Sequence, residues 1–199
     1  MAKRKKERAK EGFFKRNYLL SWMYIKESRR YIYFTIAVFL IFILIGFFKP
    51  VYFVELIKRF IEQLRLETAG LNSWQMIVFI WLNNIKSAFF GLILGVALGI
   101  FPLFNLIING YVIGFVSYYA VQGLGYSSLL SYVPHGIFEL PALVISLALG
   151  MRFGMFLFTK DKKKEFLYRL DRSLRVFIFV ILSLLLIAGV IEGLFITLI

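Results

Sequence analysis

A histidine and a carboxylate four residues apart have the clearest capacity for chemistry in this sequence. His135, the only histidine, and Glu139 lie in Pro-His-Gly-Ile-Phe-Glu-Leu-Pro-Ala, residues 134–142, which open a hydrophobic stretch that runs to Phe158. On a helix, a spacing of four places both side chains on one face. Because an ionisable group inside a membrane is costly and usually functional, this pair is the first candidate site. For His135, an interfacial position at a helix start is the alternative.

Metal binding and catalysis have little support beyond this pair. Imidazole and carboxylate are ligands of zinc and iron, but a zinc site usually needs three protein ligands, and the chain has no second His and no Cys. Glu192 or a second subunit would have to supply the third ligand. His135 and Glu139 are thus the only metal candidates, and no cofactor is expected. His-Glu-x-x-His, Gly-x-Ser-x-Gly and P-loop motifs are absent, so the sequence favours a non-enzymatic protein.

The elements that must position this pair are membrane-spanning helices. The 199 residues are 60% hydrophobic and 19% aromatic, too apolar for a soluble domain of this size. Several apolar runs approach the roughly 20 residues that a helix needs to cross about 30 Å of hydrocarbon. We therefore predict an all-α fold, a polytopic transmembrane bundle of about five spans, with a basic amphipathic leader (1–30) before a single transmembrane domain (31–199).

Prolines, glycines and charges set the predicted span boundaries. Pro102 and Pro134 are expected to break helices, and Pro141 to kink one. The predicted spans are 31–48, 74–101, 103–121, 134–158 and 176–199. Residues 83–121 also suit a re-entrant pair of half-helices in place of two full spans.

Two further segments are predicted outside the spans. Residues 51–67 carry apolar side chains at helical spacing with charges opposite, which predicts an amphipathic interfacial helix. Residues 159–175 are predicted to form a basic loop before the last span.

The basic residues predict the orientation of the chain. The net charge is +13, and eleven of the 24 Lys and Arg residues lie in residues 1–30, while seven lie between Lys160 and Arg175. Basic clusters beside spans mark the cytoplasmic side and attract anionic lipid headgroups. We therefore predict a multi-pass cell-membrane protein with its N-terminus in the cytoplasm and its C-terminus outside. The same distribution argues against nucleic-acid binding.

Polar residues from three spans are expected to meet in the outer half of the membrane. The predicted cluster consists of Asn83, Asn84, Lys86, His135, Glu139 and Glu192. Lys86 either neutralises Glu139 or Glu192, or snorkels towards the interface. Asn83 and Asn84 either join helices through hydrogen bonds or bind a ligand.

Small residues predict tight helix packing. Gly91, Gly95 and Gly99 recur every four residues, which allows close helix approach within the chain or across a dimer. Asn109, Gly110 and Gly114 are assigned to the same packing role, with Asn109-Gly110 interpreted as a turn near the cytoplasmic end. A homodimer through this glycine-rich core is expected.

Several of these motifs together resemble the stage II sporulation protein M family, small multispan membrane proteins of bacteria and archaea. The resemblance covers about residues 74–155. It includes Asn83-Asn84, the glycine ladder, Asn109-Gly110 and, most specifically, Pro-His-Gly-x-x-Glu-x-Pro-Ala at 134–142. It implies an integral protein of the cytoplasmic membrane. In that family the sporulation member acts with a second membrane protein and a peptidoglycan hydrolase during engulfment.

Two functions are predicted. The resemblance and the absence of catalytic motifs favour a non-enzymatic protein that recruits or positions an unknown membrane or soluble partner. Broken helices with an interior carboxylate favour instead an oligomeric channel or transporter for an ion or small solute, in which Glu139 would bind the cation or proton.

Overall fold

The computed structural model describes the backbone of residues 12–198 and the side chains of residues 12–130 and 136–191. This part of the chain is helical and contains no strand, which confirms the predicted all-α fold class. In chain order the α-helices are α1 (Phe13–Glu27), α2 (Arg29–Phe48), α3 (Val54–Thr68), α4 (Ser73–Ile93), α5 (Ile100–Leu124), α6 (Val133–Gly154), α7 (Lys162–Val176) and α8 (Leu182–Leu198).

Five helical segments are long and apolar enough to cross a membrane. They are Arg29–Phe48, Ser73–Val96, Ile100–Leu124, Gly136–Phe158 and Lys162–Ile191. The number agrees with the predicted multispan bundle. Ser73–Val96 and Ile100–Leu124 contain 24 and 25 residues, so each is long enough to cross by itself.

The spans define two ends of the bundle. At the first, the start of α2 meets α6 through a hydrogen bond from Arg152 to Ser28. The turn between α4 and α5 lies at the same end, because Gly99 contacts Met151. We call this the basic end, because α1 and α7 also lie there. The opposite end contains the close of α2, the start of α4 and the close of α5.

The glycine ladder packs α4 against α6 within one chain. A Cβ at Gly95 would collide with the carbonyl of Gly150, and a Cβ at Gly91 would overlap Leu147. On the other side, Gly154 lies against the backbone of Gly95 and Gly99. Because α6 already covers these glycines, they are not available for the expected dimer contact through the ladder.

The interpretation of Asn109-Gly110 as a turn was wrong. Both residues lie inside α5, and Gly110 admits the backbone and side chain of Phe39 from α2. The Nδ2 of Asn109 donates to the backbone carbonyl of Asn105 at 2.8 Å, one helical turn earlier. Tight packing between α2 and α5 therefore overrides the turn preference of the Asn-Gly pair.

The break between the second and third spans precedes Pro102. A 3-10 turn at Leu94–Val96 ends the α4 segment, and Leu98 and Gly99 have positive φ angles of 58° and 70°. Pro102 follows within the first turn of α5, where a missing N–H costs nothing because no intrahelical acceptor exists there. Pro141, in contrast, lies in the interior of α6, and the helix continues beyond it.

The predicted basic loop is instead a helix. Asp161 accepts a hydrogen bond from the backbone N–H of Lys164 and caps the start of α7. Arg169 then pairs with Glu165 at 2.9 Å, four residues away. Capping and i,i+4 pairs of this kind stabilise a helix despite its positive charge. A π-helical segment, Phe177–Ile181, joins α7 to α8, so no loop precedes the last span.

Candidate functional site

A hydrogen bond between two membrane spans forms the centre of the candidate site. The Nδ2 of Asn84 on α4 donates to the Oε1 of Glu139 on α6 at 2.6 Å. A capping box between Asn72 and Gln75 fixes the start of α4, the helix that carries Asn84. The predicted meeting of the second and fourth spans is thus present, and it takes the form of a polar link between helices.

A cavity of about 180 Å³ surrounds this hydrogen bond. Its lining residues are Asn83, Asn84, Ser87, Ala88, Asn109, Ile113, Glu139, Leu140, Leu143 and Leu185. The polar side chains come from three different spans and point into one space. The cavity is large enough for several water molecules, which would hydrate the carboxylate inside an otherwise apolar bundle.

The cavity lies near the middle of the second and third spans. Asn84 is the twelfth of the 24 residues in Ser73–Val96. Asn109 is the tenth of the 25 residues in α5, which runs in the opposite direction. Glu139, on α6, is the fourth of the 23 residues in Gly136–Phe158.

Lys86 does not join the cavity. It is exposed on the surface of α4 and, among the described side chains, forms no ion pair with Glu139. Asn83, one turn before it, is also exposed yet lines the cavity. The expected pairing of Lys86 with Glu139 inside one chain is therefore not formed.

Two of the predicted cluster residues lie outside the described side chains. These are His135 and Glu192, so their relation to the cavity is not assigned. The side chain of Pro134 also lies outside the described side chains. Within the described side chains no group of three metal-ligating residues occurs.

A second polar link was not predicted and lies one turn after Asn84 along α4, at the edge of the cavity. The hydroxyl of Ser146 on α6 donates to the backbone carbonyl of Ala88 on α4. Both residues are buried. This bond and the Asn84–Glu139 bond hold α4 and α6 together at two levels beside the glycine contacts. Ser87, which also lines the cavity, could have been found from its four-residue spacing after Asn83.

A third polar cluster fixes α1 at the basic end. The guanidinium of Arg152 donates to Ser28 Oγ at 2.6 Å and to Glu27 Oε2 at 3.2 Å. It also lies 4.2 Å from the centre of the Tyr24 ring. Burial raises the pKa of the Tyr24 phenol above its ordinary value, although the charge of Arg152 acts in the opposite direction. The phenol therefore stays neutral beside the cation at physiological pH.

The helix α7 completes this attachment. Arg175 donates to Asn17 Oδ1 at 2.5 Å, and Tyr168 donates to Glu27 Oε2 at 3.3 Å. Two segments that are far apart in sequence and both rich in basic residues thus pack side by side. Hydrogen bonds to charged groups contribute about 1.5–3 kcal/mol each to stability, and solvent screening lowers this contribution at the half-exposed Glu27.

The helix α3 at the opposite end is attached differently. Ile57, 5% exposed, is its only buried residue. The preceding loop is held by the hydroxyl of Tyr111 on α5, which donates to the carbonyl of Lys49 and accepts from the backbone N–H of Tyr52. An apolar groove of about 370 Å³ lies between α3 and α5.

Comparisons with known proteins agree with this architecture. The family model of Stage II sporulation protein M matches residues 35–197. An uncharacterized protein of Methanocaldococcus jannaschii, MJ0706, is 34% identical over 143 residues, which cover 68% of this chain and 62% of that relative. No solved structure matches. The family match covers all five candidate spans except the first residues of α2, and therefore the chain belongs to the stage II sporulation protein M family.

Proposed function

We propose that this protein is a non-enzymatic membrane component that positions a partner protein at the membrane surface. The observation that carries the proposal is α3, a complete amphipathic helix joined to the bundle mainly through its first turn. The apolar face of α3 suits the membrane interface. Its opposite face is charged and free for a partner.

The charged face of α3 is exposed and therefore accessible to a partner. Glu55 and Lys58 side chains are 79% and 62% exposed, and those of Glu62 and Arg65 are 53% and 70% exposed. The ion pairs within this face join neighbouring residues of α3 itself. A partner with a complementary mixed-charge surface would gain orientation and association rate from such a face.

The orientation of the bundle is part of the same proposal. The basic end carries α1 and α7, and basic segments beside spans favour the cytoplasm. The opposite end with α3 would then face outside, and the partner would be an extracytoplasmic protein or the external part of another membrane protein.

Co-purification from native membranes tests this function. The double substitution K58E/R59E reverses two charges on the exposed face of α3. It should lose a partner that the wild type retains, while the fold is unchanged. The matched control is K162E/K163E, the same charge change on exposed residues of α7. If neither wild type nor control retains a specific protein after cross-linking, the proposal is wrong.

The cavity favours a second candidate function, movement of an ion or small solute. A carboxylate beside a polar cavity inside a transmembrane bundle is typical of cation and proton pathways. In that case E139Q should abolish flux in proteoliposomes and Tyr111→Phe should not. Equal flux for E139Q and the wild type would remove this candidate.

A further inference from the structure

Lys86 stands out because it is an exposed cation in the middle of a membrane span. It is the only charged residue of α4 and the fourteenth of the 24 residues in Ser73–Val96. A lysine near a helix end can reach the headgroups, but one at this depth lies too far from either interface for its side chain to escape the hydrocarbon. A charge in this position requires a partner in the membrane.

The carboxylate of Glu139 lies at the depth that Lys86 needs. Glu139 is bonded to Asn84, and Asn84 precedes Lys86 by two residues, about 3 Å along the helix axis. The four-carbon side chain of lysine covers that offset. Within one chain the two groups do not pair, because Lys86 is exposed and does not line the cavity that contains Glu139.

The cavity opens beside Lys86. Asn83 lines the cavity and is nevertheless exposed, so it marks the mouth, and Lys86 follows it on the same helix face three residues later. This mouth lies between α4 and α5, since α4 packs mainly against α6 and α8. A second membrane protein can therefore approach both Lys86 and the cavity from one direction.

We infer that a second copy of this chain occupies that mouth, with Lys86 of each copy inserted toward Glu139 of the other. Two copies that cross the membrane in the same direction are related by a twofold axis along its normal, so equivalent residues keep their depth. A twofold contact is self-complementary: if Lys86 meets Glu139, then Glu139 meets Lys86. The contact gives each exposed lysine a counter-charge and closes both cavities.

This dimer goes beyond partner positioning and does not depend on it. The glycine ladder, already covered by α6, has no part in the contact. The exposed side chains of Asn83 and Lys86 take its place, and the interface contains one cation and one carboxylate from each copy. A charged pair of this kind specifies register and orientation as well as affinity.

Mixing two variants tests the inference directly. Energy transfer between labelled copies in dilute proteoliposomes should show a dimer for the wild type. K86M alone and E139Q alone should each weaken association at least tenfold. A mixture of the two should recover dimers, because the Glu139 of the K86M copy still meets the Lys86 of the E139Q copy. K163M, a substitution of an exposed lysine on α7, should behave as the wild type.

A second measurement uses the wild-type chain and does not depend on how the variants fold. Dicyclohexylcarbodiimide enters membranes and joins an amine to a carboxylate as an amide, while it takes up the lost water and becomes a urea. With a mixture of isotope-labelled and unlabelled chains, it should produce a Lys86–Glu139 cross-link that contains both isotopes. A monomeric wild type, a mixture no more dimeric than its separate variants, or the absence of the mixed cross-link would overturn the inference.

Discussion

Two amphipathic helices flank the bundle, and they are attached in opposite ways. At the basic end, α1 buries Tyr24 and Ile25 and receives hydrogen bonds from Arg152 of a span and Arg175 of α7. At the opposite end, α3 buries only Ile57. Its charged side chains pair with one another instead of with the bundle.

The difference shows that one amphipathic helix contributes to the stability of the fold, while the charged face of the other stays exposed. A helix whose polar groups are bonded to a membrane span is fixed in position and contributes to the fold. A helix held by one apolar residue and a loop can move or bind without disturbing the spans. The polar contacts of the basic end therefore stabilise the fold, and α3 is the part of the described chain that we propose for partner binding.

The largest difference in stability is expected between alanine substitutions of two glycines, one at each end of the bundle. Gly154→Ala places a Cβ against the backbone of Gly95 and Gly99, which has no room to move. We expect a loss of about 3 kcal/mol or more in the free energy of unfolding, measured by SDS titration in mixed micelles. Gly123→Ala near the close of α5 meets nothing within 4 Å. It should leave stability unchanged or raise it by up to about 1 kcal/mol. Equal losses would contradict the close packing at the basic end.

The attachment of α1 can be broken through Arg152. The Arg152→Met variant removes the bonds to Ser28, Tyr24 and Glu27, and we expect a cost of about 2 kcal/mol. Hydrogen exchange should increase in α1 but not in α3. Arg152→Lys keeps the charge with fewer donors and should fall between the variant and the wild type. Unchanged exchange in α1 would show that apolar packing alone holds it.

The loop before α3 depends on one hydroxyl. Tyr111→Phe removes the bonds to Lys49 and Tyr52 and should cost about 1 kcal/mol. Protease cleavage in residues 49–53 should become faster, while α1 keeps its protection. Tyr118→Phe on the same helix is the control, since its hydroxyl has no hydrogen bond in the described part of the chain. Similar cleavage for both variants would show that the Tyr111 bonds are unimportant.

The smallest effect on stability is expected from a substitution on the charged face of α3. The hydrogen bond from Arg65 lowers the pKa of Glu62, so any stabilisation is present above the ordinary carboxyl pKa and is lost as the pH falls through the lowered value. Because the pair is fully exposed and solvent screens it, Arg65→Ala should leave the thermal unfolding midpoint unchanged at neutral and acidic pH. A drop confined to neutral pH would reveal a stronger role for this pair.

The sequence was sufficient for the helical membrane fold because length and apolarity of the spans are local properties. It also indicated which residues meet across spans: Asn84 and Glu139 were predicted together because their span order put them at similar depth. The same reasoning failed for Lys86, whose direction around α4 depends on how that helix rotates against α6. Rotation is set by contacts such as Gly95 with Gly150, which no local pattern fixes.

The polar contacts of the basic end were beyond sequence reasoning for a related reason. Residues 159–175 are strongly basic, which favours a solvated loop, yet Asp161, Glu165 and Asp171 provide a cap and i,i+4 partners that support a helix. Arg152 lies in the last turn of a span, and no local sequence pattern marks it for this contact. Its partners on α1 are more than 120 residues away, so the bond depends on the completed fold.

Photo-crosslinking in native membranes tests most directly whether α3 is the surface that meets a partner. A benzophenone side chain at position 59, on the charged face of α3, should give a covalent adduct with one specific protein. The same group at position 163, an exposed site on α7, should not give that adduct. Absence of a protein adduct from position 59, or identical adducts from both positions, would contradict a partner-positioning role for this end of the molecule.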